Sequence, residues 1–257
     1  MFKYIWQKEI RGQLYTWKGM VWLLVASLLL SFTSYLLLTN KELSLLDQTE
    51  LLWLLSKIII GVALLIVTID ASSIITTEFE QETAESLFLS PLSLKDFLIG
   101  KFLASFTLWL ALFVVATPYM LATSAGSNLA LAFMGYILLL GSLGVAGFTF
   151  FVFALSLFYR SSKNTLTTSL ILLLALATPA LFSSTLKTAP VIGAISKINP
   201  FDAIFSSLDN ILVDYQTSLW QNWQFILPLF MFCLLTFALL IFTARLFKKQ
   251  GIIKSSE

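Results

Sequence analysis

The sequence predicts an all-α polytopic membrane protein with six transmembrane helices. Three observations carry this: 58% of the 257 residues are hydrophobic, 12% are charged, and six stretches are long and apolar enough to cross a bilayer. An ordinary soluble domain carries about 25% charged residues. A soluble fold of this size has no way to bury so much apolar surface while covering itself with so few charges. The composition excludes a soluble enzyme, a disordered chain and a nucleic-acid binder. A net charge of +2 implies no polyanionic partner.

Residues 1–18 read as an interfacial amphipathic helix. Phe2, Trp6, Ile10 and Leu14 recur every four residues, with Trp17 expected on the same face and Lys8, Arg11, Tyr15 and Lys18 opposite. Such a helix lies in the headgroup region. The first span is expected at about 19–38 and is retained, because no small-residue cleavage site follows it. The others are expected at about 51–75, 102–123, 129–159, 165–186 and 224–244, each near the 20 residues a bilayer requires. The chain therefore reads as a single transmembrane domain over 1–257.

Basic residues orient these spans. Twelve fall on one side: Lys3, Lys8, Arg11, Lys18, Lys95, Lys101, Arg160, Lys163, Arg245, Lys248, Lys249 and Lys254. Three fall on the other: Lys41, Lys187 and Lys197. Both termini are expected in the cytoplasm. Lys57 and Asp70 are the charges inside a span. Lys57 is expected to snorkel outward, and Asp70 to meet a basic residue of the amino-terminal helix.

Chemistry-bearing residues are scarce. There is no histidine, and Cys233 is the single cysteine. This removes the commonest general base and any multi-thiolate metal site. The spans hold no paired carboxylates, so no catalytic or metal site is expected. Gly141, Gly144 and Gly147 repeat every third residue in the fourth span, as close helix packing requires. Asp202, Asp209 and Asp214 in the external segment Lys187 to Trp223 read as a solvated face. The apolar residues around them recur at three and four, which predicts one or two short helices.

The segment TTEFEQETAESLFLSPLSLKDFLIGK, Thr76 to Lys101, is the most informative. Glu78, Glu82 and Glu85 stand at helical spacing. Leu87, Phe88 and Leu89 form an apolar tip, and Ser90-Pro91 breaks the helix. Ser93 with Asp96 resembles a capping box for the third span. A short helix with an apolar tip suits a groove on a partner.

On these residues the chain resembles the type-2 ABC transporter permeases, the integral subunits of one class of ABC exporter. The matching positions are Glu78, Glu80, Thr83, Glu85, Leu87, Phe88, Ser90, Pro91, Ser93, Gly100 and Lys101. The family's glycine before the threonine is Glu82 here. The resemblance implies that this loop is a cytoplasmic coupling helix docking into a separate ATP-binding subunit. It implies two such subunits, and pairing of the permease as a homodimer or with a related chain. The Asn199, Pro200, Phe201 element resembles the start of the family's short re-entrant extracellular helices. Hydrophobic cargo (lipid, peptide or drug) and a bacterial-type cytoplasmic membrane follow as expectations.

No nucleotide site is expected in this chain itself. The only Gly-Lys pair is Gly100-Lys101, where Lys95 stands in place of the first P-loop glycine and Phe102 in place of the Mg²⁺-binding Ser/Thr. ATP and Mg²⁺ are thus expected on the partner. The alternatives are a haem-type or cytochrome-assembly ABC permease and an ATP-independent secondary transporter. The first loses its usual ligand with histidine. The second requires repeated halves with broken midplane helices.

Overall fold

The computed structural model describes residues 2–39, 47–81, 93–125, 130–181, 199–212 and 223–254. Among the described residues the chain is all helix: α1 (Phe2–Leu14), α2 (Trp17–Thr39), α3 (Gln48–Glu80), α4 (Leu94–Thr123), α5 (Ala130–Tyr159), α6 (Ser162–Leu181), α7 (Pro200–Leu212) and α8 (Trp223–Lys254).

Among the described residues five helical stretches are long and apolar enough to span a membrane: α2, α3, α4, α5 and Ile226–Lys248 of α8. The expected fifth span corresponds to α6, which is not among them. Ser162 to Ser169 is almost wholly polar, leaving Leu170 to Leu181 as its apolar part, about 18 Å at 1.5 Å per residue. Residues 182–186 of that expected span lie outside the described residues.

Several helices outrun their expected bounds. α3 continues to Glu80, α4 starts at Leu94 and α8 runs to Lys254. The extensions add charged and hydroxyl residues to apolar cores, and hydropathy does not register them. The cap of α4 is as expected: the Ser93 side chain accepts from the Asp96 amide at 3.1 Å, satisfying one orphan N–H of the first turn. In the same geometry Ser93 Oγ donates to Asp96 Oδ2 at 2.8 Å.

The amino-terminal reading changes in one respect. α1 stops at Leu14 and Trp17 opens α2, 81% exposed, so Trp17 does not share the α1 stripe. The reason is a sharp corner. Gly19 packs so closely on the end of α1 that a Cβ would overlap the Gln13 carbonyl oxygen. Backbone approach of this kind suits glycine alone.

α5 is the centre of the bundle, packing most extensively on α8 and then on α3. Its glycines make this possible. A Cβ on Gly141 would stand 2.7 Å from the ring of Trp109, a fully buried α4 residue, and one on Gly147 would stand 3.0 Å from Phe232 of α8. Trp109 Nε1 donates to Ser142 Oγ at 3.0 Å, so the indole dipole is satisfied in the core. Exposed apolar residues concentrate on α2 (Leu24, Leu28, Phe32) and α8 (Leu234, Leu235, Phe242). Such faces are at home in lipid tails.

Gly141→Ala should lower stability by about 1–3 kcal/mol through overpacking against Trp109. Gly61→Ala, where a Cβ meets nothing within 4 Å, should be neutral or stabilising by up to about 1 kcal/mol through helix propensity. Thermal unfolding of the two variants in detergent checks the contrast. Equal shifts would refute the packing account.

Candidate functional site

Charge gathers where α1 meets α3 and α4. α1 packs chiefly on α4. Its inward stripe is Ile5, Trp6, Glu9, Ile10, Gln13 and Leu14, while Lys3, Lys8 and Arg11 are exposed. Trp6 fixes the contact by donating from Nε1 to Thr107 Oγ1 at 3.1 Å. Of the expected apolar stripe, Trp6, Ile10 and Leu14 are half-buried; the side chain of Phe2 lies outside the described residues. The stripe is wider than the one expected, because Glu9 and Gln13 belong to it.

Lys101 is the hub. It is 2% exposed. Its Nζ donates to Glu9 Oε1 at 2.7 Å, to Glu78 Oε1 at 2.6 Å and to the Ile74 carbonyl at 2.9 Å. An ammonium has three protons, and all three are accepted. The lysine comes from α4, one carboxylate from α1 and the other from α3. Lys101 thus ties three elements together, where the sequence marked it as an orienting charge and half of a Gly-Lys pair.

One turn deeper, Gln13 Nε2 donates to Asp70 Oδ2. The basic partner expected for Asp70 is therefore an amide in direct contact. Lys18 stands beside it, donating to Ser73 Oγ at 3.4 Å. A cavity of about 340 Å³ lies among these groups.

Glu78 and Glu80 sit two residues apart on α3 and so point to different neighbours. Glu78 turns to Lys101. Glu80 accepts the Ser162 backbone N–H at 2.6 Å and the Ser162 hydroxyl at 3.0 Å. A carboxylate on the first amide of a helix satisfies an orphan donor and complements the helix dipole. The Ser162 hydroxyl also meets Thr76 Oγ1 at 2.6 Å. Arg160 makes the preceding turn at φ 53°, and its guanidinium lies 5.0 Å from the Phe247 ring of α8. Phe79 packs on the same ring at 5.4 Å between centroids. The α5–α6 turn is thereby held to the end of α3. Glu82, Thr83, Glu85, Leu87, Phe88, Ser90 and Pro91 lie outside the described residues.

The Asn199, Pro200, Phe201 element forms the start of α7, which meets α3 near Trp53, toward the opposite end of α3 from Glu78. Asn199 Oδ1 accepts the Phe201 amide at 2.9 Å, and its Nδ2 donates to the Leu176 carbonyl of α6 at 2.6 Å. Pro200 fills the first helical position, where its missing N–H costs nothing. α7 is held to α3 by Trp53 Nε1 donating to the Phe205 carbonyl at 3.0 Å. Lys57 Nζ lies 3.4 Å from the Trp53 ring centroid, a cation–π contact with a neighbour one turn away. Asp202 departs from the solvated face expected for it. It is 2% exposed and sits in the first turn of α7, where the helix dipole favours a carboxylate. Asp209 is half-buried and Asp214 lies outside the described residues.

With this geometry in view, the comparison with known families is decisive. The model described as "ABC-2 family transporter protein" matches residues 37–242, about four-fifths of the chain. The chain belongs to the ABC-2 transporter family. No curated protein matches it. This ABC-2 chain is a multi-pass membrane protein of the permease kind, in a family that normally partners an ATP-binding subunit. The match takes in Glu78, Glu80, Lys101 and the Asn199 element, and leaves α1 with Glu9 and Gln13 outside it. Sequence reasoning missed Glu9 and Gln13. The signal available was two polar residues four apart, on the side of α1 that also carries Ile5.

Removing the ammonium leaves two carboxylates facing each other. Lys101→Met should therefore destabilise the protein by about 3–5 kcal/mol. Combining it with Glu9→Gln and Glu78→Gln should recover much of the loss. Melting temperature and monodispersity in detergent report both, and a single variant as stable as the parent would overturn the assignment of Lys101 as the hub.

Proposed function

We propose that this chain is the membrane subunit of an ATP-driven exporter, and that the segment 82–92 is its coupling element. The observation supporting this is the Glu78–Lys101 ion pair of 2.6 Å. α3 and α4 are the two stems that residues 82–92 join. An ion pair across them turns the stems into one lever. Glu80 on Ser162 extends the lever to α6. Displacement of the segment by a partner moves α3, α4 and α6 together, and α1 follows through Glu9.

In this reading the apolar tip, Leu87 and Phe88, enters a groove on a separate ATP-binding subunit, with Glu82, Thr83, Glu85, Ser90 and Pro91 shaping the segment around it. ATP and Mg²⁺ belong to that subunit, present in two copies. Two permeases, identical or related, face each other around the pathway. Six spans place both termini in the cytoplasm of a bacterial-type membrane, with α6 belonging to the fifth of them. α7 then closes the external end. The chain makes and breaks no bonds. Its cargo is a hydrophobic molecule such as a lipid, peptide or drug.

Replacing Leu87 and Phe88 with Asp should abolish co-purification of the ATP-binding subunit while the permease stays in the membrane fraction. Unchanged co-purification would refute the docking assignment. The chain purified alone should show no ATP hydrolysis above a mock preparation, and robust turnover would refute the division of labour.

A further inference from the structure

The cavity of about 340 Å³ between α1, α2, α3 and α4 is not used by the lever. Its size lies at the lower end of small-molecule sites. Its lining is graded. Lys8 and Lys18 are exposed at its rim, whereas Gln13 is 8% and Asp70 5% exposed. Gln13 Oε1, an acceptor, and Trp22 Nε1, a donor, are buried in this lining with no hydrogen-bond partner within the described protein. Leaving such buried atoms unpaired is costly, which favours a ligand able to pair them.

The charges say what. Lys8, Lys18 and Lys101 line the cavity with Glu9, Asp70 and Glu78. Three cations match three anions, but Lys101 is already committed to Glu9 and Glu78. What is left is basic at the rim and acceptor-rich on the floor. A simple anion would face Asp70. A simple cation would leave the rim lysines without a counter-charge. A ligand carrying an ammonium at its tip and a phosphate behind it satisfies both levels.

From this grading we infer that the cavity is a binding site for a phospholipid headgroup bearing a primary ammonium. The ammonium enters to Asp70 and Gln13 Oε1, and the phosphate rests between Lys8 and Lys18. The indole N–H of Trp22 faces the same ligand. The acyl chains leave along α2, whose Val21, Leu24 and Leu28 are exposed. A trimethylated ammonium has no N–H to give Asp70, so the site separates primary amines from quaternary ones. The inference rests on the reading of α1 as a helix at the inner headgroup level.

The test is native mass spectrometry of the full-length chain, delipidated and re-exposed to phosphatidylethanolamine, phosphatidylcholine or phosphatidylglycerol. Phosphatidylethanolamine should be retained about tenfold better than the other two, the ratio expected for one charge-assisted hydrogen bond. Asp70→Asn should reduce the preference to within about twofold, and Lys18→Gln, at an exposed position, should lower retention of all three lipids by about threefold or more while keeping the preference. Equal retention of the three lipids by the parent, an undiminished preference in folded Asp70→Asn, or undiminished retention by Lys18→Gln overturns the inference. Binding of glycerophosphoethanolamine without binding of the intact lipid overturns the lipid source. A bimane label on Tyr4→Cys, quenched by brominated lipid, reports the depth of α1. An unquenched label overturns the reading of α1, and a quenched label without headgroup preference overturns the headgroup assignment alone.

Discussion

A lysine ammonium removed from water must hand its three protons to other acceptors, and in this protein that requirement organises one end of the bundle. Lys101 is satisfied by Glu9, Glu78 and the Ile74 carbonyl at 2.6 to 2.9 Å. Each acceptor comes from α1 or α3, and the donor comes from α4. A bare charge in a low-dielectric interior is expensive. The helices are therefore not free to separate one at a time: moving any of them exposes or orphans a charge. The contact has the properties of a joint, stiff locally and able to carry displacement.

Around that joint the chain uses polar contacts at helix ends and steric fit in the helix middles. Glu80 on the first amide of α6, Asn199 on the first turn of α7 and Ser93 on α4 each settle a donor that a helix start leaves open. In the middle, Trp109 fits against Gly141, and Gly147 lets α8 approach α5. Lipid supplies no hydrophobic drive between helices, so such close approach and internal hydrogen bonds carry the association.

The sequence motif lies inside the stretch that the family model matches. The motif lies in residues 78–101, and the family model covers residues 37–242. The structure adds the stems of that segment and how they are braced. It also divides the glutamates that the motif grouped. Glu78 braces α3 to α4 and Glu80 braces α3 to α6. Two carboxylates two residues apart on one helix face different neighbours, because they project about 200° apart.

Much was legible in the linear order of residues. Hydropathy located five of the six expected spans. Asn-Pro marked the start of α7, and Ser93 with Asp96 marked that of α4, since caps and apolar length depend on residues close in sequence. The α5 glycines declared tight packing without saying against what. What the chain alone left undecided was every partnership across distance. Lys101 lies 92 residues from Glu9, and Gln13 lies 57 from Asp70. Asp202 looked solvated and is buried, and Trp17 looked aligned with α1 and belongs to α2. Sequence determined that this protein lives in a bilayer and where two of its helices are capped. Only the tertiary structure decided which charges hold those helices together, because a charge finds its counter-charge in space.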